Sequence, residues 1–361
     1  MKVKLSIFIV IVLFFFPNCV RTKKQDGETI IVAGKIDHFN PMWPVIICVN
    51  KIGFTPELIT AETDSAGNFK ASFESYIPLD IWVTYKTNFL ATLYPGDSLF
   101  IQFDGRCNHS PELLESIVFG GDAAERNRNV AIFQKMYFSN EIYWNWDKKK
   151  KAVKEYNVDQ YLQYLDTMKQ TCHDIYEQFV AENNPDEASK KWAKMFSEKD
   201  FYHYLGWYVH NRKQANITER NDIWDVPEGF YDGLCNHLPI ERSMLMSAFV
   251  INDFADVFVR YVYDQLRDRS NELEWHLFPG GVISGPQQIV DSIKIYSVIE
   301  FVPDPLLRQI MLAQIFDHHF EKRDVSVYER FRDVADQYIR EPFLKEPLNK
   351  KFLQTKLKWG K

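Results

Sequence analysis

The hydrophobic pattern of this chain changes period once, at Gly120-Gly121, and this change limits the folds open to it. Before that point, apolar and polar residues alternate in short β-branched and aromatic segments such as TIIVAGKI, NFKASFE and SLFIQF, as in half-buried strands. Turn signals separate these segments, among them Asp64-Ser65-Ala66-Gly67-Asn68 and Pro95-Gly96-Asp97. We therefore predict a small antiparallel β-sandwich over residues 29–120, with a barrel as the alternative.

After Gly121, apolar residues recur every three to four positions, which is the period of an amphipathic helix. One helical face is predicted to carry Tyr161, Leu165, Met168, Cys172, Ile175 and Phe179. Asn184-Pro185 is predicted to start a further helix, with Asn184 as its cap, and Asp304-Pro305 repeats the device. Residues 121–361 are therefore predicted to form an all-α bundle or array, which makes the fold class α+β by domain.

The N-terminus has the order of an export signal. Two lysines precede an apolar run from Leu5 to Phe16, too short to span a bilayer core of ~30 Å but typical of a secretory signal. Cys19 follows after Pro17 and Asn18, and it resembles the cysteine of a bacterial lipobox, which becomes the lipidated first residue of the mature protein. We predict a signal peptide over residues 1–18 and a lipid-anchored tether over residues 19–28, at the periplasmic or outer surface of the cell envelope. The alternative is an ordinary signal peptide cut nearby, with Cys19 as a bystander.

Charge and cysteine usage exclude two classes of function. The formal net charge is −6 at pH 7, and the longest lysine run, Lys148–Lys151, is predicted to be a solvated helix end. Nucleic acid is therefore an unfavourable partner, because binding phosphates requires a basic surface. The sequence contains no C-x-x-C, the usual redox and zinc signature. The cysteines other than Cys19 are widely spaced, and Cys48, within VIICV, is predicted to be a buried free thiol.

Three phrases resemble a known family. Residues 63–69 (TDSAGNF), residues 94–99 (YPGDSL) and Phe119-Gly120-Gly121, followed by Ala123 and Asn127, are similar to the N-terminal region of envelope thiol–disulfide oxidoreductases of the Bacteroidetes. That family has a lipoprotein signal, a small β-sandwich, a helical region and then a thioredoxin domain with a catalytic C-x-x-C. The resemblance covers the first three parts, and it implies that a catalytic domain is missing or lies on a separate chain.

The remaining candidate chemistry favours structural interpretations. Gly96-Asp97-Ser98-Leu99 and Asp200-Phe201-Tyr202-His203 share letters with a serine esterase family, but a strand pattern follows Ser98 and Asp200 lies mid-chain among helices. His318 and His319 are adjacent on a helix and point about 100° apart, so they cannot hold one ion from one face. We predict no catalytic residue, no cofactor and no metal ligand.

Aromatic clusters at 143–146 (YWNW) and 201–208 (FYHYLGWY) are candidate ligand contacts, because exposed Trp and Tyr stack on sugars and peptides. The residues are Trp144, Trp146, Trp207 and Tyr208. Buried helix packing is nevertheless the preferred interpretation, although Trp144 and Trp146 cannot share one helical face.

Three functional hypotheses follow. The first is a non-catalytic envelope lipoprotein that acts as a binding or docking module, with a membrane or an envelope protein as partner. The second is the accessory region of a thiol–disulfide oxidoreductase that works with a separate thioredoxin-fold chain. The third is capture of a glycan or peptide by exposed aromatic residues.

Overall fold

A computed structural model describes residues 27–206, 247–266 and 282–359, together with Tyr208, Arg242, Leu245 and residues 276–278. The predicted signal peptide, Cys19, Trp207 and Cys235 lie outside the described residues.

The N-terminal region consists of two packed β-sheets. Its strands are β1 (Glu28–Asp37), β2 (Ile46–Val49), β3 (Glu57–Thr60), β4 (Glu62–Thr63), β5 (Asn68–Ser75), β6 (Leu79–Thr84), β7 (Asn88–Leu93), β8 (Ser98–Asp104) and β9 (Val118–Gly120). One sheet has the order β4-β5-β1-β8-β9 and the other has the order β3-β2-β6-β7. The predicted sandwich is confirmed.

One strand pair departs from the predicted antiparallel pattern. Strands β1 and β8 are parallel, in a register that runs from Ile31 opposite Ser98 to Asp37 opposite Asp104. The chain between them forms the whole second sheet as well as β4 and β5, and this long segment provides the crossover that a parallel pair needs. Alternate residues of β1 and β5 face inward and are buried, as the period-two pattern predicts.

The segment 57–63 changes sheet at Ala61. Its first half, β3, pairs with β2, whereas its second half, β4, pairs with β5 only at Phe69 and Lys70. The Ala61 N–H donates to the Val45 carbonyl at 2.9 Å, on the side of the second sheet. The two sheets therefore separate at this corner.

Both predicted turns require glycine. Gly67 and Gly96 have φ of 80° and 83°, a region that residues with a Cβ rarely adopt. The Asp64 carboxylate accepts the N–H groups of Ala66 and Asn68, each at 2.9 Å, which closes the first turn.

The rest of the described chain is mainly helical. Its helices are α1 (Ser110–Ser116), α2 (Ala124–Ser139), α3 (Glu141–Trp144), α4 (Trp146–Glu155), α5 (Val158–Asn183), α6 (Glu187–Gly206), α7 (Ala248–Gln265), α8 (Gln287–Phe301), α9 (Pro305–Glu321), α10 (Ser326–Arg330), α11 (Arg332–Tyr338) and α12 (Pro342–Trp359). A short hairpin of β10 (His276–Phe278) and β11 (Val282–Ser284) lies between α7 and α8. The predicted order of a β region followed by a helical region is confirmed.

Helix α5 buries the predicted face: all six residues of the stripe are its buried residues.

The predicted cap at Asn184 is wrong, because Asn184 ends α5 in a left-handed conformation with φ of 43°. Asp186 caps α6 instead, since its carboxylate accepts the N–H groups of Ala188 and Ser189, each at 3.0 Å. Burial alone would raise the pKa of Asp186, but these hydrogen bonds and those from the Ser189 hydroxyl and Asn129 outweigh it and lower the pKa. The second predicted cap is confirmed, because Asp304 accepts the N–H groups of Leu306 and Leu307.

Helix α2 covers the outer edge of β7 with two side-chain amides. Asn127 accepts the Thr92 N–H at 2.8 Å and donates to the Thr92 carbonyl at 3.0 Å. Gln134 does the same at Leu90, with both distances 2.7 Å. These amides take the place of a neighbouring strand, so this edge of the sandwich has its hydrogen bonds satisfied.

The loop 50–56 is fastened to the helices. Buried Asp317 on α9 accepts both the N–H and the hydroxyl of Thr55, each at 2.8 Å, and also pairs with Lys351 on α12. The side chain of Asn252 on α7 accepts the Gly53 N–H at 3.3 Å. These hydrogen bonds hold the loop in place between the β-sandwich and the helical region.

Candidate ligand-binding site

A cavity of about 300 Å³ lies between the sandwich and α12, next to β5. A second cavity of about 360 Å³ continues it between the loop 50–56 and α12. The two share Lys51, Phe54, Glu57, Pro347 and Lys350 in their linings. We call the two cavities together the β5–α12 groove.

One wall of the groove is an unpaired strand edge. Backbone groups of an antiparallel strand point alternately to its two sides. The Asp64 N–H donates to the Asn68 carbonyl at 2.9 Å, so the backbone groups of Asn68 point to the β4 side of the strand. Ser72 and Glu74 are an even number of residues from Asn68, so their backbone groups point to the same side. Because β4 pairs with β5 only at Phe69 and Lys70, no described strand meets the backbone of Ser72 and Glu74.

The groove follows this edge rather than one face of the sheet. Ser72 and Glu74 point outward and are exposed, whereas Phe73 and Ser75 point inward and are buried. All four residues line the cavity of about 300 Å³, which requires the space to run alongside the strand. The helix wall opposite carries Phe343, Pro347 and Lys350.

One residue of the groove floor carries a buried donor that has no partner among the described residues. Asn50 lines the cavity and is only 4% exposed. Its Oδ1 lies 3.9 Å from the Cys48 thiol, but its Nδ2 has no hydrogen-bond acceptor among the described residues. A buried amide donor without a partner is unfavourable by about 1–3 kcal/mol, which is unusual in a folded protein and points to a missing partner.

The rim of the groove is balanced in charge. Lys51 pairs with Glu57, and Lys350 pairs with Glu74 at 3.3 Å. In both pairs the glutamate is at least half exposed, so each pair is weak and its groups remain able to contact a ligand. The groove thus combines unpaired backbone groups, a buried amide and a neutral rim, an arrangement that suits binding.

The sequence-predicted aromatic contacts lie elsewhere. Trp144 ends α3 and Trp146 begins α4, and each is 56% exposed. The Lys149 ammonium lies 4.7 Å from the centre of the Trp146 ring and donates to the Tyr143 carbonyl at 2.8 Å. Lys149 therefore occupies one face of Trp146 through a cation–π contact.

Tyr208 has the buried packing that the sequence interpretation preferred, so the structure contradicts its candidacy as an exposed ligand contact. Tyr208 is 1% exposed, and its ring centre lies 4.2 Å from that of Tyr161, which is also buried. A large aromatic ring on the inner face of a helix removes more apolar area from water by packing than by remaining exposed. Trp144 and Trp146 therefore remain candidate ligand contacts at the surface, whereas Tyr208 does not.

The described cysteines are free thiols. Cys107 and Cys172 are buried, but Cys48 is only half-buried, so the prediction that it is buried is wrong. Cys48 alternates with the fully inward Ile47 and Val49 along β2, which places it on the other face of the strand. Burial, with a smaller effect of the Asp80 carboxylate, raises the pKa of the Cys48 thiol and makes it a poor nucleophile at neutral pH.

The residues with esterase-like letters form structural contacts. The Ser98 hydroxyl donates to Asp122 at 2.7 Å, next to the turn that leads into α2. Asp200 is buried, and the Tyr137 hydroxyl and the Lys199 ammonium both donate to it. Burial alone would raise the pKa of Asp200, but the charge and hydrogen bond of Lys199, with that of Tyr137, outweigh it and lower the pKa.

The adjacent histidines point to different surroundings. His319 is buried between Asp291 at 3.4 Å and Asp324 at 3.5 Å, whereas His318 lines a mainly apolar cavity of about 200 Å³. Burial and the charge of Lys322 lower the pKa of His318. Within the described residues no group of three or more His, Cys, Asp or Glu side chains is placed to hold a metal ion.

Comparison of the chain with known protein families, with curated proteins and with solved structures found no match in any of the three. No helix among the described residues is both long and apolar enough to cross a membrane.

Sequence reasoning missed Asn50, Ser72 and Glu74. Asn50 follows an apolar strand and looks like an ordinary turn residue. Ser72 and Glu74 look like the outward residues of an ordinary strand, because their side chains alternate with buried ones. The change of sheet at Ala61 leaves no trace in the alternation of residues 57–63, so no sequence signal could reveal the open edge.

Proposed function

We propose that this chain is an exported, lipid-anchored protein of the bacterial cell envelope that binds a ligand in the β5–α12 groove and catalyses no reaction itself. One observation carries the binding part: the buried Nδ2 of Asn50, in the lining of a groove beside the edge of β5, has no acceptor among the described residues. The arrangement of Cys19 directly after an apolar run supports the anchor.

The contrast between two strand edges supports binding in this groove. The edge of β7 is satisfied by the amides of Asn127 and Gln134. The edge of β5 has no such cover from the described residues. A chain that covers one edge with helix side chains and leaves open another, beside a cavity, keeps the second available to a ligand.

Replacement of Cys19 by Ala tests the anchor. The unmodified protein is expected in the membrane fraction and labelled by radioactive palmitate in a bacterial host. The Cys19→Ala variant is expected to be exported, unlabelled and released from membranes. Membrane association and labelling that survive the substitution would refute the lipid anchor.

A fluorescent probe tests binding in the groove. Ser72→Cys, labelled with bimane in a released Cys19→Ala protein whose other four cysteines are replaced by Ser, is expected to change its emission when fractions of envelope extract are added. Lys35→Cys is the matched control, because Lys35 also faces outward on the same sheet, opposite Asn68 at the far end of β5. If no fraction changes the emission at position 72 more than at position 35, the groove is not the binding site.

The exposure of Trp144 and Trp146 favours a second candidate function, capture of a glycan or peptide on these rings. Substituting both by Ala is then expected to abolish retention of the protein on immobilised peptidoglycan or envelope polysaccharide. Unchanged retention, or no retention of the unmodified protein, would eliminate this candidate.

A further inference from the structure

We propose that the ligand of the β5–α12 groove is an extended peptide segment of another envelope protein, which adds a strand to β5 at Ser72–Glu74. This inference rests on the proposed function and specifies the class of ligand and its mode of binding.

The first argument is hydrogen-bond complementarity. Ser72 and Glu74 each present one N–H and one C=O toward the groove, and no described residue pairs with these groups. Donors and acceptors that alternate with a period of two residues, about 6.6 Å, match the backbone of an extended chain. A sugar or a phosphate group offers no such regular alternation, whereas a peptide backbone satisfies all four groups at once.

The second argument is the position of the cavity. Space lies beside the strand, on the side where a paired strand would run about 4.8 Å away. Residues from both faces of β5 border this space, and Pro347 and Phe343 of α12 close its far side. A single extended segment therefore fits between the strand edge and the helix.

The third argument comes from Asn50. Side chains of an added strand alternate between the solvent and the floor of the groove. Asn50 belongs to the lining of the groove, together with the apolar Ile52 and Leu79, and its buried Nδ2 is a donor without an acceptor among the described residues. We infer that the inward side chain of the peptide carries an oxygen acceptor, as in Ser, Thr, Asn or Gln.

The charge of the rim agrees with a peptide of low net charge. Two lysines and two glutamates border the first cavity: Lys51, Lys350, Glu57 and Glu74. Each lysine is already paired with one of the glutamates. A polyanion gains little electrostatic attraction from such a rim, whereas a peptide that carries both charges can form ion pairs with the lysine or the glutamate of either pair.

The direct test uses peptides. Fluorescein-labelled hexapeptides with randomised positions are screened by fluorescence anisotropy against the released Cys19→Ala protein, and a binder is resynthesised with one backbone nitrogen methylated at a time. Methylation at two positions separated by one residue is expected to weaken binding about tenfold each, because each removes one hydrogen bond to β5. Methylation at the positions between them is expected to change affinity less than threefold. Equal losses at every position would overturn strand addition.

Proline variants test the same contact from the protein side. The N–H of Ser72 points away from β1, so Ser72→Pro removes a groove donor without removing a bond of the β1 ladder. Ser72→Pro is expected to weaken the peptide at least tenfold, whereas Ser72→Ala, which keeps the N–H, is expected to bind within twofold of the unmodified protein. A folded Ser72→Pro variant that binds like Ser72→Ala would overturn the proposal. If the proline prevents folding, the methylated peptides still decide the question on the unmodified protein.

Two failures can be told apart. If no hexapeptide binds but a protease-resistant envelope fraction changes the bimane emission at position 72, the groove binds a ligand that is not a peptide. The inference is then overturned and the proposed function stands. If neither peptides nor fractions change that emission, both are overturned.

Discussion

Asn50 gives the sharpest test of the groove, because the chain provides a matched buried asparagine for comparison. Asn50 is 4% exposed and Asn127 is 1% exposed. The Asn127 side chain makes three hydrogen bonds, with the N–H and C=O of Thr92 and the C=O of Ala123. The Nδ2 of Asn50 makes none with the described residues. Replacement of each by Leu, which is similar in size, should therefore affect stability differently: only the change at Asn127 should lower it.

The magnitudes follow from the groups left behind. Asn50→Leu removes a buried donor that lacks a partner and loses only the weak contact with the Cys48 thiol. The free energy of unfolding is expected to stay constant or rise by about 1 kcal/mol. Asn127→Leu leaves the buried N–H of Thr92 unpaired, at about 1–3 kcal/mol, and leaves the C=O of Thr92 with only the long bond of 3.4 Å from the Arg126 Nε–H. The free energy of unfolding is therefore expected to fall by about 2–4 kcal/mol.

Urea unfolding of the released protein, followed by far-UV circular dichroism, measures both values, and unchanged m-values would show that only stability has changed. In parallel, Asn50→Leu is expected to weaken a bound peptide about tenfold, because the peptide loses its contact with the floor. A loss of stability in Asn50→Leu comparable to that in Asn127→Leu would refute the argument that the Asn50 donor awaits a ligand.

Three further predictions concern the helical region. Asp186→Ala is expected to lower stability by about 1 kcal/mol at pH 7 through loss of the α6 cap. Because the folded-state pKa of Asp186 is lowered, this contribution is present above the unfolded pKa of about 4. It disappears as the pH falls through the lower folded value, so variant and unmodified protein should converge in acid unfolding, and a constant difference would contradict this. Burial, with the charge of Asp200, raises the pKa of Cys172 to about 12. Iodoacetamide at pH 8 should therefore leave this thiol unmodified in the folded protein and alkylate it in urea, which peptide mass spectrometry measures. Rapid alkylation of the folded protein would contradict the burial of Cys172. Asp317→Ala removes the partner of Lys351 and of the loop 50–56 and should lower the free energy of unfolding by about 3 kcal/mol. Glu321→Ala, whose side chain is half exposed, should change it by under about 1 kcal/mol in the same urea experiment. Equal effects would contradict the conclusion that buried Asp317 holds the loop 50–56.

The sequence predicts the two halves of the fold well because each half has one clear period. The stripe of α5 is buried residue for residue, since a long amphipathic helix has only one apolar face to bury. The cap at Asp304 is also predictable, because the side-chain acceptor lies directly before Pro305. At Asn184 the same rule fails: two acceptors compete there, and the left-handed conformation of Asn184 moves the start of α6 to Asp186.

The candidate site was beyond sequence reasoning for a physical reason. Alternation reveals which face of a strand is buried, but not which strand pairs with its edges. The groove exists because the chain leaves one sheet for the other at Ala61, a long-range choice of partner. Likewise, the burial of Tyr208 against Tyr161 depends on a tertiary contact between two distant positions of the chain.

The amide cover of β7 also concerns how this protein can be divided. Asn127 and Gln134 belong to the helical region in sequence, yet they complete the hydrogen bonding of the sandwich. A fragment that stops at Gly121 would expose the Leu90 and Thr92 backbone groups as a bare strand edge, the kind of surface through which sheets join one another. Expression of the sandwich by itself should therefore give aggregates rather than monomers. The shortest soluble fragment of the N-terminal half should extend through the end of α2 at Ser139.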